Sequence, residues 1–447
     1  MFDRREFLKG VSLAAATGLS GEATASSVHE EAAKAALAAD ERIARHAARH
    51  RLICSEPMLQ VPAETSMGVV WAVTAMANGW VEVSEKPDLS DAKTFVCGGL
   101  GLTGFHERVL QVRLTGLRPA TRYYYRIIAE RMDYRSNSLR IKGEREFGSV
   151  HSFMTLGAGA PSHFCVMNDT HLDHAALGMV MSKIGDLKPV ATLWNGDALH
   201  SGETIEGGVR SFLAPQGGRA DYAADNPILF NPGNHEYWGL WTRRLDEVLM
   251  KRLPSERPSR DWELGRNYAV RIGDIALVGF DTGDSRPDDH PSSAGLSNFK
   301  PYFEAQTVWL ADALKRPEIA SAPYLLASCH IPLLPRESEK DNPGWWLRYG
   351  RDNWGPLLTE AKAQAVLVGH MHEYRFNPAG TMRSWAQIEG GGFERGERCF
   401  GSRKIVNAGY FPTVMDVRAE KGKLVVEVWD VWRGKIAGRH EFGGRAR

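Results

Sequence analysis

The amino-acid sequence predicts an all-β sandwich followed by a layered α/β domain, itself a β-sandwich flanked by helices. Short β-rich pieces separated by turn residues fill the stretch from Met58 to Thr155. From His163 onward, apolar runs end repeatedly in polar clusters, with helical segments such as "EAQTVWLADALK" between them. At 447 residues the chain is also too long for one ordinary core, since domains run to about 150 residues.

Composition sets the class before any motif does. Apolar residues make up 43% and charged residues 24%, and 55 Lys+Arg against 54 Asp+Glu leave a net charge of +1. That balance is globular and gives no electrostatic footprint for nucleic acid or for an anionic membrane. Residues 1–25 resemble a twin-arginine export signal: Arg4-Arg5, Phe7-Leu8-Lys9, a short apolar stretch from Val11 to Leu19, then Ala23-Thr24-Ala25. The apolar stretch is too short to span a bilayer. The resemblance therefore implies a periplasmic or secreted mature chain without a membrane span, delivered already folded by the twin-arginine export machinery. Residues 26–52 form an expected helical arm, because Glu30 to Arg51 is Ala-rich and contains neither Gly nor Pro.

The sandwich is expected over residues 53–157, from the strands "MGVVWAVT", "GWVEVSE", "RVLQVRLTGL", "RYYYRIIAE" and "VHSFMTL". Within it, "LTGLRPATRYYYRI" resembles the fibronectin type III family through Leu117, Pro119, Thr121, Tyr123 and Tyr125. The small residues of "LGAGAPS", Leu156 to Ser162, read as a linker into the second domain, residues 163–447. That domain closes with "TVMDVRAEKGKLVVEVWDVW", a hairpin turning near Lys421-Gly422. Five cysteines (Cys54, Cys97, Cys165, Cys329 and Cys399) match no zinc-finger or redox spacing. Cys165 and Cys329 fall inside apolar runs and read as small buried hydrophobes.

The chemistry lies at five strand ends. "FCVMNDTHLD", "VATLWNGDALH", "PILFNPGNHEYWG", "PYLLASCHIPL" and "AVLVGHMHEY" deliver Asp169 and His171, Asp197, Asn234 and His235, His330, and His370 and His372. In an extended segment residues i and i+2 point the same way, so His370 and His372 are expected to converge on one point. Carboxylate, amide and imidazole donors without thiolates suit zinc, manganese or iron rather than a structural zinc. Two such ions about 3.5–4 Å apart, sharing a carboxylate, can activate a hydroxide and hold phosphoryl oxygens. His163, His174, His200 and His290 have no clear motif position and read as ordinary core or surface histidines.

The ordered series "DTH", "NGD", "GNHE", "CHIP" and "GHMH" resembles the calcineurin-like metallophosphoesterases over most of residues 163–380. With a fibronectin-like domain in front, the tandem also resembles purple acid phosphatases. The resemblance implies a layered metallophosphoesterase fold and two divalent or trivalent metal ions, iron, manganese or zinc. Asp169, His171 and His372 would hold one ion and Asn234, His330 and His370 the other, with Asp197 bridging. His235 would be the general acid, oriented or tuned by Glu236.

The implied activity is hydrolysis of a small-molecule phosphate ester by a metal-bridging hydroxide, with phosphomonoesters first. Phosphodiesters of nucleotides or phospholipid head groups are the alternative, and an inactive surface binding protein is the rival from another class. Purple acid phosphatases carry a tyrosine three residues after the bridging Asp, where this chain has His200, and they lack a counterpart of His171. A ferric tyrosinate chromophore is therefore not expected. Protein Ser/Thr phosphatases put an Arg before Gly-Asn-His-Glu, where this chain has Pro232. Two loops remain open as cleft walls or structural turns: "FDTGDSRPDDH" with Asp281, and the segment after His330 with Arg336, Arg348, Arg351, Trp345, Trp346 and Trp354.

Overall fold

The computed structural model describes residues 51–99, 101–134, 140–171, 174–215, 220–252, 264–335, 344–381, 383–392 and 411–445. The export signal, nearly all of the helical arm, Arg336 and Cys399 lie outside the described residues. Two large sheets face each other across an apolar slab. In the first, the parallel strands His163–Met167, Thr192–Asn195 and Ile228–Asn231 lie side by side. In the second, Ile275–Gly279, Tyr324–Ser328, Ala365–Val368 and Ala386–Glu389 are likewise parallel neighbours.

Both sheets are covered on both sides, so their central strands are buried along nearly their whole length rather than alternating. Phe164, Val166, Leu193 and Leu229 of the first sheet meet Leu277, Leu326, Leu367 and Ile388 of the second. Outside the first sheet, the helix His174–Leu187 packs Leu177, Val180, Met181 and Ile184 against Cys165, Met167 and Trp194. Outside the second, the helix Phe299–Ala313 packs Phe303, Trp309 and Leu310 against Val278, Leu325 and Val366. The result is the layered helix–sheet–sheet–helix arrangement expected from the alternating sequence pattern.

The expected sandwich strands are present as Ser66–Ala72, Ala77–Ser84, Val109–Thr115, Arg122–Tyr134 and His151–Met154. They enclose a core that includes Val69, Trp71, Val81, Val112, Tyr125, Ile127 and Phe153. Tyr123 accepts a hydrogen bond from the Arg118 backbone N–H at 3.0 Å, closing the corner before its strand. One layer of this sandwich is not a separate sheet. Met58–Gln60 pairs in parallel with Ile228–Asn231 and antiparallel with Ser66–Ala72, so Ser66–Ala72 and Val109–Thr115 extend the first large sheet to nine strands. The Leu156–Ser162 segment is held as well, since the Gly157 N–H donates to Arg271 O at 2.8 Å and its carbonyl accepts from Gly273 N–H at 3.0 Å.

At the other edge, Thr413–Glu420 and Lys423–Asp430 form the expected hairpin. Lys421 and Gly422 both have positive φ, 51° and 76°, as a two-residue turn matched to strand twist requires. No helix among the described residues is long and apolar enough to cross a membrane.

Candidate metal centre

Parallel strands carry their carboxyl ends to one side, and in open α/β sheets ligands bind beyond those ends. Here five such ends, three from one sheet and two from the other, empty into the same space. His330 Nε2 lies 3.1 Å from Asp197 Oδ2 and 3.8 Å from Asp169 Oδ1. From the other loops, His372 Nε2 stands 3.3 Å from Asp169 Oδ1 and His171 Nε2 stands 3.6 Å from Asp197 Oδ2. His370 Nδ1 faces Asn234 Oδ1 at 2.8 Å.

Among the described residues two ion-sized groups share Asp197, one of Asp169, His171, Asp197 and His372 and one of Asp197, His330 and His370; His171, His200 and His235 form a further group beside them. All the residues expected as ligands are thus brought together. The route differs from the expected one. His370 and His372 are not extended but left-handed, with φ of 71° and 55°, as are Asp169 at 52°, His171 at 40° and Asp197 at 51°. Each such turn costs of order 1–3 kcal/mol, somewhat less for Asp and His, and persists only where the surroundings over-determine it.

Those surroundings are visible. Gly196 and Gly233 flank the site because a Cβ at either would collide, at 2.3 Å from His330 Nδ1 and 2.2 Å from Asp197 Oδ1 respectively. Asp169 accepts from the His370 N–H at 3.1 and 3.0 Å and from Asn168 Nδ2 at 2.5 Å, and Asp197 Oδ1 accepts from the His235 N–H at 2.9 Å. His330 Nδ1 is tied to the Asn195 carbonyl at 2.8 Å, which turns Nε2 toward the carboxylates. Beneath the site, Asn231 donates to Asn195 Oδ1 at 2.8 Å and Ser328 Oγ at 2.9 Å, a buried polar tie between the two sheets.

The donor set fits metal ions. Asp169 and Asp197 are 0% and 1% exposed, so two carboxylate charges are withdrawn from water in one spot. His171 Nδ1 is buried without a hydrogen-bond partner, and His171 Nε2 and His372 Nε2 point at each other across 3.1 Å. Burial works to raise Asp169, but the neighbouring His372 and His330 outweigh it and hold its carboxyl at about 2. Burial works to lower His330, yet Asp197 and Asp169 push it up to about 10. The two carboxylates thus favour positive charge at this point, which a bound metal ion would supply. Burial, reinforced by His330, drops His370 to about 4 and burial drops His171 well below its ordinary value, leaving both as the neutral imidazoles that ligation requires.

His235 stands apart from the two groups. Its Nδ1 bonds the His200 carbonyl at 2.7 Å and its Nε2 lies 4.0 Å from Asp197 Oδ2, at the edge of the centre. Its ring packs on Trp238 with centroids 3.8 Å apart. Glu236 does not act on the His235 ring as expected. Its buried carboxylate accepts four backbone N–H groups, from Asp197 at 2.8 Å, Ala198 at 2.9 Å, Leu199 at 3.0 Å and Gly233 at 2.7 Å, and so welds the two loops together. Burial and the Asp197 charge push Glu236 up to about 8, against the pull of those donors.

His200 turns out to be a neighbour of the centre, its ring 5.5 Å from His235 and 6.1 Å from His171. Its place three residues after Asp197 was the available signal. His163 is satisfied elsewhere by Asp416 at 2.7 Å, and His290 by Ser292. The open loops resolve toward structure: Asp281 accepts the hydroxyls of Tyr237 and Tyr302, and Trp354 packs with Phe280, Phe303 and Tyr349 in the core. Cys165 and Cys329 are buried and free.

Residues 162–374 match the model of the calcineurin-like phosphoesterase family, and the chain carries that domain over those residues. Among solved structures, the purple acid phosphatase PPD1 from yellow lupin (Lupinus luteus) seeds shares the fold with TM-score 0.60 at 14% identity, over 86% of this chain and 73% of its own. GAP50, the anchor in the inner membrane complex of Plasmodium, is similar over 64% of this chain and 89% of its own, at 13% identity and a TM-score of 0.44. No curated protein matches the sequence.

Proposed function

We propose that the protein is an exported, binuclear phosphoesterase whose first substrates are phosphomonoesters. The observation that carries this reading is the pair of ion-sized ligand groups sharing Asp197, with His235 at their edge. Asp169, His171 and His372 would hold one ion, Asn234, His330 and His370 the other, and Asp197 both. Bound there, the metals supply Lewis acidity and a hydroxide nucleophile for in-line displacement at phosphorus.

The chain's own residues do the rest. With Nδ1 engaged by the His200 carbonyl, His235 presents Nε2 toward the centre, where it can give a proton to the departing oxygen. Burial lowers its basicity, which makes the protonated form a stronger acid. Glu236 keeps the Asp197 and His235 loops in register. The preference for monoesters follows from the sandwich-plus-metal-domain tandem, whose first part we read as fibronectin type III-like. Export to the periplasm is supported by Arg4-Arg5 and the segments after it.

Parallel rates on p-nitrophenyl phosphate and bis(p-nitrophenyl) phosphate, after reconstitution with manganese, zinc or iron, test this reading. A faster monoester reaction is expected. A faster diester reaction moves the assignment to phosphodiesterase, and inertness toward both with every metal favours the binding-protein reading.

A further inference from the structure

The loop that leaves Asp197 runs through His200 and Gly202 to a short helix, Ile205–Gly208. Its first part is fixed by the site itself: Glu236 holds the Ala198 and Leu199 amides, and the His200 carbonyl takes the His235 Nδ1 bond. Gly202 is stitched to the far side of the same segment, donating to Trp238 O at 2.7 Å and accepting from Trp241 N–H at 2.8 Å. Beyond the helix, Val209, Phe212 and Leu213 are buried in the core beside Trp194. A second anchor comes from the N-terminal sandwich.

Arg108 sits just before the sandwich strand Val109–Thr115, its carbonyl fixed by the Val73 N–H at 2.8 Å. Its guanidinium meets Glu206 as a fork, Nε to Oε1 and Nη2 to Oε2, both at 2.5 Å. The remaining Nη1 donates to the Val73 carbonyl and reaches Cys54 Sγ at 3.6 Å. The pair is largely buried, with 13% and 19% of the two side chains exposed. A desolvated, bidentate Arg–carboxylate contact is directional, and removing one partner leaves an unpaired charge.

We propose that Arg108 is a positioning residue for the reaction, and that one task of the N-terminal sandwich is to brace the loop whose His200 carbonyl orients the His235 ring, so that Nε2 of the imidazolium faces the centre. The brace runs from Arg108 through Glu206 and the 198–206 loop to the His200 carbonyl. This rests on the phosphoesterase reading and on His235 as the proton donor. A general acid matters most when the departing oxygen is a poor leaving group. A loosened brace therefore slows phenyl phosphate more than p-nitrophenyl phosphate, while a general loss of folded protein or of metal slows both alike.

The test is kcat for both esters, with metal content measured on the same samples, for wild type, Arg108→Met, Glu206→Gln and the double variant. For Arg108→Met the phenyl phosphate rate is expected to fall about tenfold and the p-nitrophenyl phosphate rate less than about threefold, with metal content unchanged. The double variant leaves no unpaired charge and so keeps its fold while showing the same selective loss. If Arg108→Met does not fold, Glu206→Gln and the double variant carry the comparison. Equal slowing of both esters, or none, overturns the brace. A wild type inert toward both esters overturns the phosphoesterase reading itself, and the brace with it.

Discussion

The slab between the two large sheets and the rim at their carboxyl ends are built by the same strands under opposite rules. Val166 lies in the slab among Leu193, Leu277 and Leu326, all buried and apolar, in regular strand. Three residues later, Asp169 is equally buried but charged, left-handed and surrounded by imidazoles. The slab is stabilised by removing apolar area from water, about 25 cal/mol for each Å². The rim spends part of that gain on backbone strain and on desolvated charge, which a bound cation would offset. Stability and chemistry are thus separated by a few residues along each strand, so damage to the two regions should have different signatures.

The sharpest break is Asp197→Asn. It removes charge from the one side chain common to both ligand groups, and hydrolysis of p-nitrophenyl phosphate should drop to background while circular dichroism still reports a folded chain. Next in size, His235→Asn should lower kcat by about 10²–10⁴-fold, the usual worth of a general acid. Metal content measured on the same sample should not change, because His235 lies outside both groups. Leu326→Ala inverts the pattern. A cavity in the slab should cost about 2–5 kcal/mol of unfolding free energy by denaturant titration, with kcat per folded molecule near that of wild type.

The smallest effect lies far from either region, where His151 sits between Glu56 at 3.2 Å and Asp225 at 3.3 Å. Burial works to lower its pKa, but the two carboxylates outweigh it and the net shift is upward. A raised histidine stabilises the fold when protonated. That contribution is complete below the unfolded value of about 6.5 and is lost as pH rises through the folded value. The Tm difference between wild type and His151→Ala should therefore be larger at about pH 5.5 than at about pH 9. An equal difference at both pH values would mean that the histidine contributes packing alone.

The slab and the rim were also legible to different degrees. Apolar runs bounded by turn residues marked the central strands, and the donor types at their ends marked the ligands, because both signals are carried by single short segments. What brings His370 and His372 together was not readable, since left-handed φ leaves no trace in a His-Met-His string and an extended chain seemed to suffice. Relations between distant segments were hidden too. Nothing local in Met58–Gln60 says that it pairs with Ile228–Asn231, or in Glu236 that it collects four amides from two loops. Asn195 and Asn231 look like strand-end polar residues until the second sheet supplies Ser328 and the Cys329 carbonyl as their partners. From its neighbours in sequence Trp354 stayed open between a cleft wall and a structural turn, because its environment is set by Phe280 and Phe303 from elsewhere in the chain.

The central claim is that two metals share Asp197, and counting metal ions per chain tests it most directly. Elemental analysis of the reconstituted wild type should find two ions per chain, and the same preparation of folded Asp197→Asn fewer than one. A wild type that binds none or one at saturation, or an Asp197→Asn variant that still holds two, would contradict a bridged binuclear centre at these strand ends.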